Sequence, residues 1–312
     1  MYLNPEFLKK FTKQDNISSY GKTIKKNDCK ILINEFLLGL DENLSYSLPQ
    51  KEYFDSNYKK CFELIHGIRN KKTQKFINKN IKNLEDLSND EKYKNFVNNL
   101  FNALDAGFYE IKKIFNSRFT SSNRMLFLLL SFFNKQDLLF LDIETKSLFI
   151  ETQIITIGCG YFENNFFKTI HLTALNEEGE YEILEQFNKL LTSKKALVTF
   201  NGKSFDVNFI DARMSYYNIE NNIFDYHNFD LYYFSRNAFK GKQEYFNLKE
   251  IDKKILNKNR GNDINGDDVC YYYNRFLNTK NINFLKPIIN HNKEDIISLA
   301  LLLNKLISVW VI

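Results

Sequence analysis

The chain has 312 residues, of which 44% are hydrophobic and 16% aromatic. That is enough to bury a large core and too much for a disordered chain. A formal net charge of +5 suits a phosphate-binding protein, but the charge is small for this length and spread along a Lys- and Asn-rich chain that a biased coding composition could produce.

The segment from Asn4 to about Asn134 is expected to be helical, with apolar residues three and four apart in Ile31-Leu32-Phe36-Leu37, Phe96-Leu100-Leu104 and Ile111-Phe115. Met1 to Phe11 carries Glu6, Lys9 and Lys10 and lacks the apolar run of a signal peptide. The longest apolar stretches, Met125 to Phe133 and Ile296 to Leu303, fall short of the roughly 20 residues needed to cross a bilayer. No membrane partner is expected. Cys29, Cys61, Cys159 and Cys270 lie far apart with no C-x-x-C pair, so neither a zinc site nor a disulfide framework is indicated, and a reducing cytoplasm is the expected setting.

Near Leu138 the texture changes to short apolar runs separated by polar turns. Leu138 to Glu144, Gln153 to Gly160 and Phe166 to Leu172 read as three strands of an antiparallel meander. Alternation follows: helix from Glu178 to Leu191, strand from Ala196 to Phe200, helix from Phe205 to Tyr217 and strand from Tyr226 to Asp230. Further helical segments lie near Leu231 to Phe239, Leu248 to Leu256, Asp267 to Leu277 and Asn290 to Leu306. This order describes an α/β fold, a mixed sheet flanked by helices. The expected division is 1–134, a helical N-terminal region, and 135–312, the sheet domain.

Three motifs carry chemistry. In Phe140-Leu141-Asp142-Ile143-Glu144 an apolar strand ends in two acids two positions apart, which alternation puts on one face. Such a pair repels unless a cation neutralises it, although a solvated acidic turn looks the same. In Val198-Thr-Phe-Asn-Gly-Lys-Ser-Phe-Asp206 a strand breaks at a turn, and Asp206 falls in the first turn of a helix, where dipole compensation alone could also place it. In His291-Asn-Lys-Glu-Asp295 the two end residues share one face of a helix that continues as a strong apolar run. Each motif alone is weak, and the ordered triple is not.

In these motifs, and in His-Asn-Phe-Asp-Leu at 227–231, the stretch from Leu138 to Leu306 resembles the DEDD exonuclease superfamily of the ribonuclease H-like fold, most closely the YprB-type domain. The resemblance implies a five-stranded mixed sheet with four acids converging at one end. It implies that Asp142, Glu144, Asp206 and Asp295 bind two Mg²⁺ or Mn²⁺ ions and that His291 deprotonates the attacking water. His291 precedes Asp295 by four residues, whereas histidine-bearing proofreading members usually have five and four is typical of the tyrosine subclass. Asp230 follows another strand and is expected to serve in packing or capping.

Leu64 to Leu87 looks like a helix-hairpin-helix element, whose second glycine is replaced by Arg69. There Arg69, Lys71, Lys72 and Lys75 are expected to meet phosphates, as are Asn201 and Lys203 beside the second motif. The function expected is a metal-dependent nuclease, a 3′-to-5′ exonuclease on single-stranded DNA or RNA. Its rivals are a non-catalytic nucleic-acid-binding protein that retains the fold and an interaction protein that uses its aromatic surface.

Overall fold

A computed structural model of the chain describes residues 17–242 and 246–311, so the readings of Met1 to Phe11 and of the helix start near Asn4 lie outside the described residues. Described residues 17–46, 135–232 and 246–305 form one compact unit, and 47–134, 233–242 and 306–311 form another.

The strands are β1 (Lys22–Lys26), β2 (Cys29–Gly39), β3 (Leu138–Thr145), β4 (Ile154–Glu163), β5 (Phe166–Ala174), β6 (Ala196–Thr199) and β7 (His227–Asp230). The helices are α1 (Lys51–Lys60), α2 (Asn70–Asn78), α3 (Lys94–Ala106), α4 (Phe108–Arg118), α5 (Arg124–Phe127), α6 (Gly179–Leu191), α7 (Asp206–Tyr216), α8 (Leu231–Ala238), α9 (Leu248–Lys254), α10 (Val269–Thr279) and α11 (Leu285–Trp310).

All seven strands make one sheet in the order β1-β2-β5-β4-β3-β6-β7. Pairing is antiparallel from β1 through β3 and parallel from β3 to β6 to β7. The five strands from β3 to β7 are those read from the sequence, and β1 and β2 add two more in a region expected to be helical. The reason is visible at Ile31 and Leu32, which are both fully buried. β2 lies between β1 and β5, so Ile31 joins the core on one face of the sheet and Leu32 the core on the other. A strand covered on both faces loses its alternation, and its apolar spacing then mimics a helix. The two-residue turn Asn27-Asp28, with Asn27 at φ 53°, is the hairpin signal that betrays it.

Each face has its own helices. Leu139, Leu141 and Ile143 of β3 pack with Ile183, Leu184 and Phe187 of α6 and Val207, Ile210 and Met214 of α7. On the opposite face, Tyr272, Tyr273 and Phe276 of α10 and Leu285, Ile288 and Ile289 of α11 bury Leu32 and Ile155. Two glycines let α11 approach the sheet closely. A Cβ on Gly158 would stand 2.1 Å from Asn292 Oδ1, and one on Gly160 would stand 2.5 Å from Ile296 Cγ2. Fully burying a side chain such as Ile296 contributes about 1.5–3 kcal/mol. The same approach brings the first half of α11 over the end of β3.

The second unit is built on aromatic packing. Tyr58 of α1 stacks on Phe115 of α4 at 6.0 Å between ring centroids and donates its hydroxyl to Leu100 O at 2.8 Å. Arg124 donates through Nε to Trp310 O at 3.0 Å and through Nη1 to Asn57 Oδ1 at 3.0 Å. The Arg124 donors and the backbone acceptor at the end of α11 are thereby satisfied.

Candidate active site

β3 turns Leu139, Leu141 and Ile143 toward α6 and α7, so Asp142 and Glu144 face the α11 side. Asn292 of α11 meets them there: its Nδ2 donates to Asp142 Oδ2 at 2.8 Å and to Asp142 O at 3.2 Å. Asn292 Oδ1 in turn lies 2.7 Å from Nδ1 of the buried His171, whose pKa burial pushes down to about 4. A neutral His171 can therefore donate to Asn292 and fix its amide.

Asp206 arrives from the other side, as the first residue of α7. The β3–β6 ladder ends at Phe140–Val198, and beyond it Asp206 Oδ1 accepts the Ile143 N–H at 3.0 Å. Asp230, at the end of β7, accepts N–H groups from Asn201, Lys203 and Tyr232 at 2.7, 3.0 and 3.2 Å. It shapes the turn between β6 and α7.

α11 brings His291 and Asp295, one turn apart, to Glu144. His291 Nε2 lies 3.9 Å from Glu144 Oε1 and 3.6 Å from Asp295 Oδ2. One ligand atom from each of the three lies within 4.8 Å of the other two, so they could share a metal ion. Glu144, Asp206 and His291 are buried, and Asp142 and Asp295 partly so.

The electrostatics are those of a cation site. Burial first, then the charges of Asp295, Glu144 and Asp206, push Asp142 well above the usual carboxylate range, against the hydrogen bond from Asn292. Burial raises Glu144 to about 8; the charge of His291 opposes this, and those of Asp295, Asp206 and Asp263 add to it. Burial likewise raises Asp206 to about 7, although its own and Ile143's N–H groups stabilise the anion. Clustered carboxylates with too little compensation are what a hard divalent cation relieves, and the donor oxygens match that chemistry.

Two residues of the segment between α9 and α10 enter the site with no motif to announce them. Arg260 Nη1 lies 2.5 Å from Asp295 Oδ1 and 3.3 Å from Asp263 Oδ2, and its Nε pairs with Asp252. Asp263 meets His291 Nδ1 at 2.7 Å through Oδ1 and 2.9 Å through Oδ2. Both sit in a run of Asn, Gly and charged residues that reads as an ordinary loop, and only proximity in the fold reveals them. Asn292 was hidden between His291 and Asp295.

Among the expected nucleic-acid contacts, Asn201 and Lys203 are exposed on the turn after β6, and Asn201 takes φ 63°. Arg69, Lys71, Lys72 and Lys75 are exposed in the second unit, Arg69 as the N-cap of α2. Between Leu64 and Leu87, α2 is the one α-helix, entered through Gly67 at φ 79° and followed by a 3₁₀ turn at Glu85–Leu87.

A family model described as RNase_H superfamily matches residues 139–307, more than half of the chain, and the chain belongs to that superfamily. Its members are usually nucleases that act on nucleic acid with divalent metals. The chain is similar to "Uncharacterized protein YprB" of Bacillus subtilis (strain 168), at 28% identity over 171 residues, 54% of this chain and 41% of YprB. It thus spans less than half the length of that relative. Among solved structures it is similar to the family B DNA polymerase of the hyperthermophilic archaeon Pyrobaculum calidifontis, with TM-score 0.42, 12% identity and coverage of 52% of this chain and 23% of that one. Among the described residues no helix is long and apolar enough to cross a membrane.

Proposed function

We propose that the chain is a DEDD-type nuclease, a 3′-to-5′ exonuclease on single-stranded DNA or RNA, with Asp142, Glu144, Asp206 and Asp295 holding two Mg²⁺ or Mn²⁺ ions. The observation that carries this reading is that the four acids, from β3, α7 and α11, converge, with the carboxyls of Asp142, Glu144 and Asp206 raised. When bound, the ions supply charge stabilisation at the entering and leaving oxygens of an in-line displacement. The chain's own groups do the rest. His291 takes the proton of the attacking water through Nε2, a base role supported by its 3.6–3.9 Å distances to Asp295 and Glu144. Asn201 and Lys203 hold the strand beside the acids. Phe149, 74% exposed on the loop that follows β3, offers a face on which a base can stack.

We assign the nuclease chemistry to residues 135–312, whose sheet β1 and β2 extend, with Arg69, Lys71, Lys72 and Lys75 of the second unit adding phosphate contacts as a helix-hairpin-helix-like element. One observation favours a second reading, a nucleic-acid-binding protein without catalysis: Arg260 already pairs with Asp295, so part of the cluster's charge is met without metal. Incubation with single strands labelled at the 5′ or the 3′ end separates the readings. Stepwise shortening of the 5′-labelled strand, with early release of the 3′ label, supports the exonuclease. Binding without shortening supports the second reading, and internal cleavage contradicts the polarity.

A further inference from the structure

On the nuclease reading above, we infer that Asp263 is a positioning residue that fixes the tautomer of His291, placing the proton on Nδ1 and leaving the Nε2 lone pair toward Glu144 and Asp295. The side chains of Asp263 and His291 are each 7% exposed, so water does not compete for this contact. Both carboxylate oxygens of Asp263 lie within 2.9 Å of Nδ1 and can only accept there while the group is ionised. Ionisation is secured locally. Arg260 Nη1 and Lys249 Nζ approach Oδ2 at 3.3 and 3.4 Å. Burial alone would raise the Asp263 pKa, but the hydrogen bond from His291 and the charges of Lys249 and Arg260 favour its ionised form.

An imidazole that donates from Nδ1 presents Nε2 as its acceptor, and the partner of one ring nitrogen in this way sets the role of the other. His291 is only useful as a base in that tautomer. Without Asp263 the ring loses the acceptor that holds its proton on Nδ1, and Glu144 and Asp295 compete for that proton through Nε2.

The asymmetry of the contacts makes the isosteric variant informative. Both cations approach Oδ2, so in Asp263→Asn the amide oxygen should turn to them and the NH₂ should take the place of Oδ1, which faces Nδ1 at 2.7 Å. A donor there forces the proton to Nε2.

The test is nitrogen NMR of protein labelled at its 4 histidines, with Mg²⁺ present and the pH near 9, the His291 signals being assigned by their loss in His291→Ala. The expected result is a protonated Nδ1 and bare Nε2 in the wild type, the reverse in Asp263→Asn, and a mixture in Asp263→Ala. In parallel, kcat should fall ~10²–10⁴-fold in Asp263→Asn with KM nearly unchanged. A wild-type ring protonated on Nε2, or on both nitrogens, overturns the inference, as does an unchanged tautomer in a folded Asp263→Asn. The spectra need no substrate, so the expected tautomers in a protein that cleaves nothing would sink the nuclease reading and leave the role of Asp263 standing.

Discussion

Arg260 Nη1 stands 2.5 Å from Asp295 Oδ1, so the last acid of the cluster has an ionic partner of its own, whereas Asp142 is met by the neutral amide of Asn292. The Arg260 side chain is 6% exposed and also reaches Asp252 and Asp263. Removing one partner of a buried charge set leaves the others uncompensated, at a cost of about 3–5 kcal/mol. Arg260→Gln should therefore destabilise the metal-free protein by roughly that amount in a urea titration, and Mg²⁺ should recover part of the loss. A midpoint equal to wild type would show that the pairing carries no stability.

The same difference separates two substitutions that look alike. Burial and the neighbouring carboxylates make the charge of Asp142 costly when no metal is present, and an asparagine removes that charge. Asp142→Asn should leave the metal-free melting temperature unchanged or higher, while Asp295→Asn should lower it by leaving Arg260 short of a partner. Thermal melts in EDTA check this, and equal effects of the two changes would contradict the charge assignment.

The pH dependence follows with a definite sign. Glu144 titrates near 8 in the folded chain against an ordinary 4.5, and Asp206 near 7 against 3.8. Between those values the folded state holds more protons than the unfolded one, so their contribution is present below the ordinary value and is lost as pH rises through the folded one. Asp263, held at about 2, acts oppositely, its contribution being lost as pH falls from about 4 toward 2. The metal-free protein should thus melt at progressively lower temperature from about pH 5 to about pH 8.5, and Mg²⁺ should flatten the decline because it binds the ionised carboxylates. Glu144→Gln should flatten it without metal. A metal-free melting temperature that rises over this window would refute the raised carboxyls.

Charge reversal at Lys71 and Lys72, both exposed at the start of α2, tests the proposed grip of the second unit. Affinity for a single strand should fall with little sequence preference, and the log-log salt slope should flatten by about 0.7 per lost phosphate contact. An unchanged slope would assign α2 a purely structural role.

The sequence made the acidic end of the sheet legible because its signals are local. Asp142 and Glu144 share a strand face, Asp206 opens a helix and His291 and Asp295 share a helix face, each readable within a few residues. What it hid was non-local. β2 reads as a helix because burial on both faces at Ile31 and Leu32 erases its alternation. Arg260 and Asp263 come from a loop whose composition only says turn, and they matter because the fold carries that loop to His291, 28 residues further along the chain. Asn292 looks like any polar helix residue until the missing side chain of Gly158 gives it room beside Asp142.

The most direct measurement is cleavage of end-labelled single- and double-stranded DNA and RNA by wild type and by Asp142→Asn, each with Mg²⁺, Mn²⁺ or EDTA. The carboxylate cluster as described requires cleavage by the wild type with Mg²⁺ or Mn²⁺, none in EDTA, and loss of activity in a folded Asp142→Asn that still binds the strand. Cleavage that survives EDTA or Asp142→Asn, or no cleavage of any substrate with either ion, would contradict it.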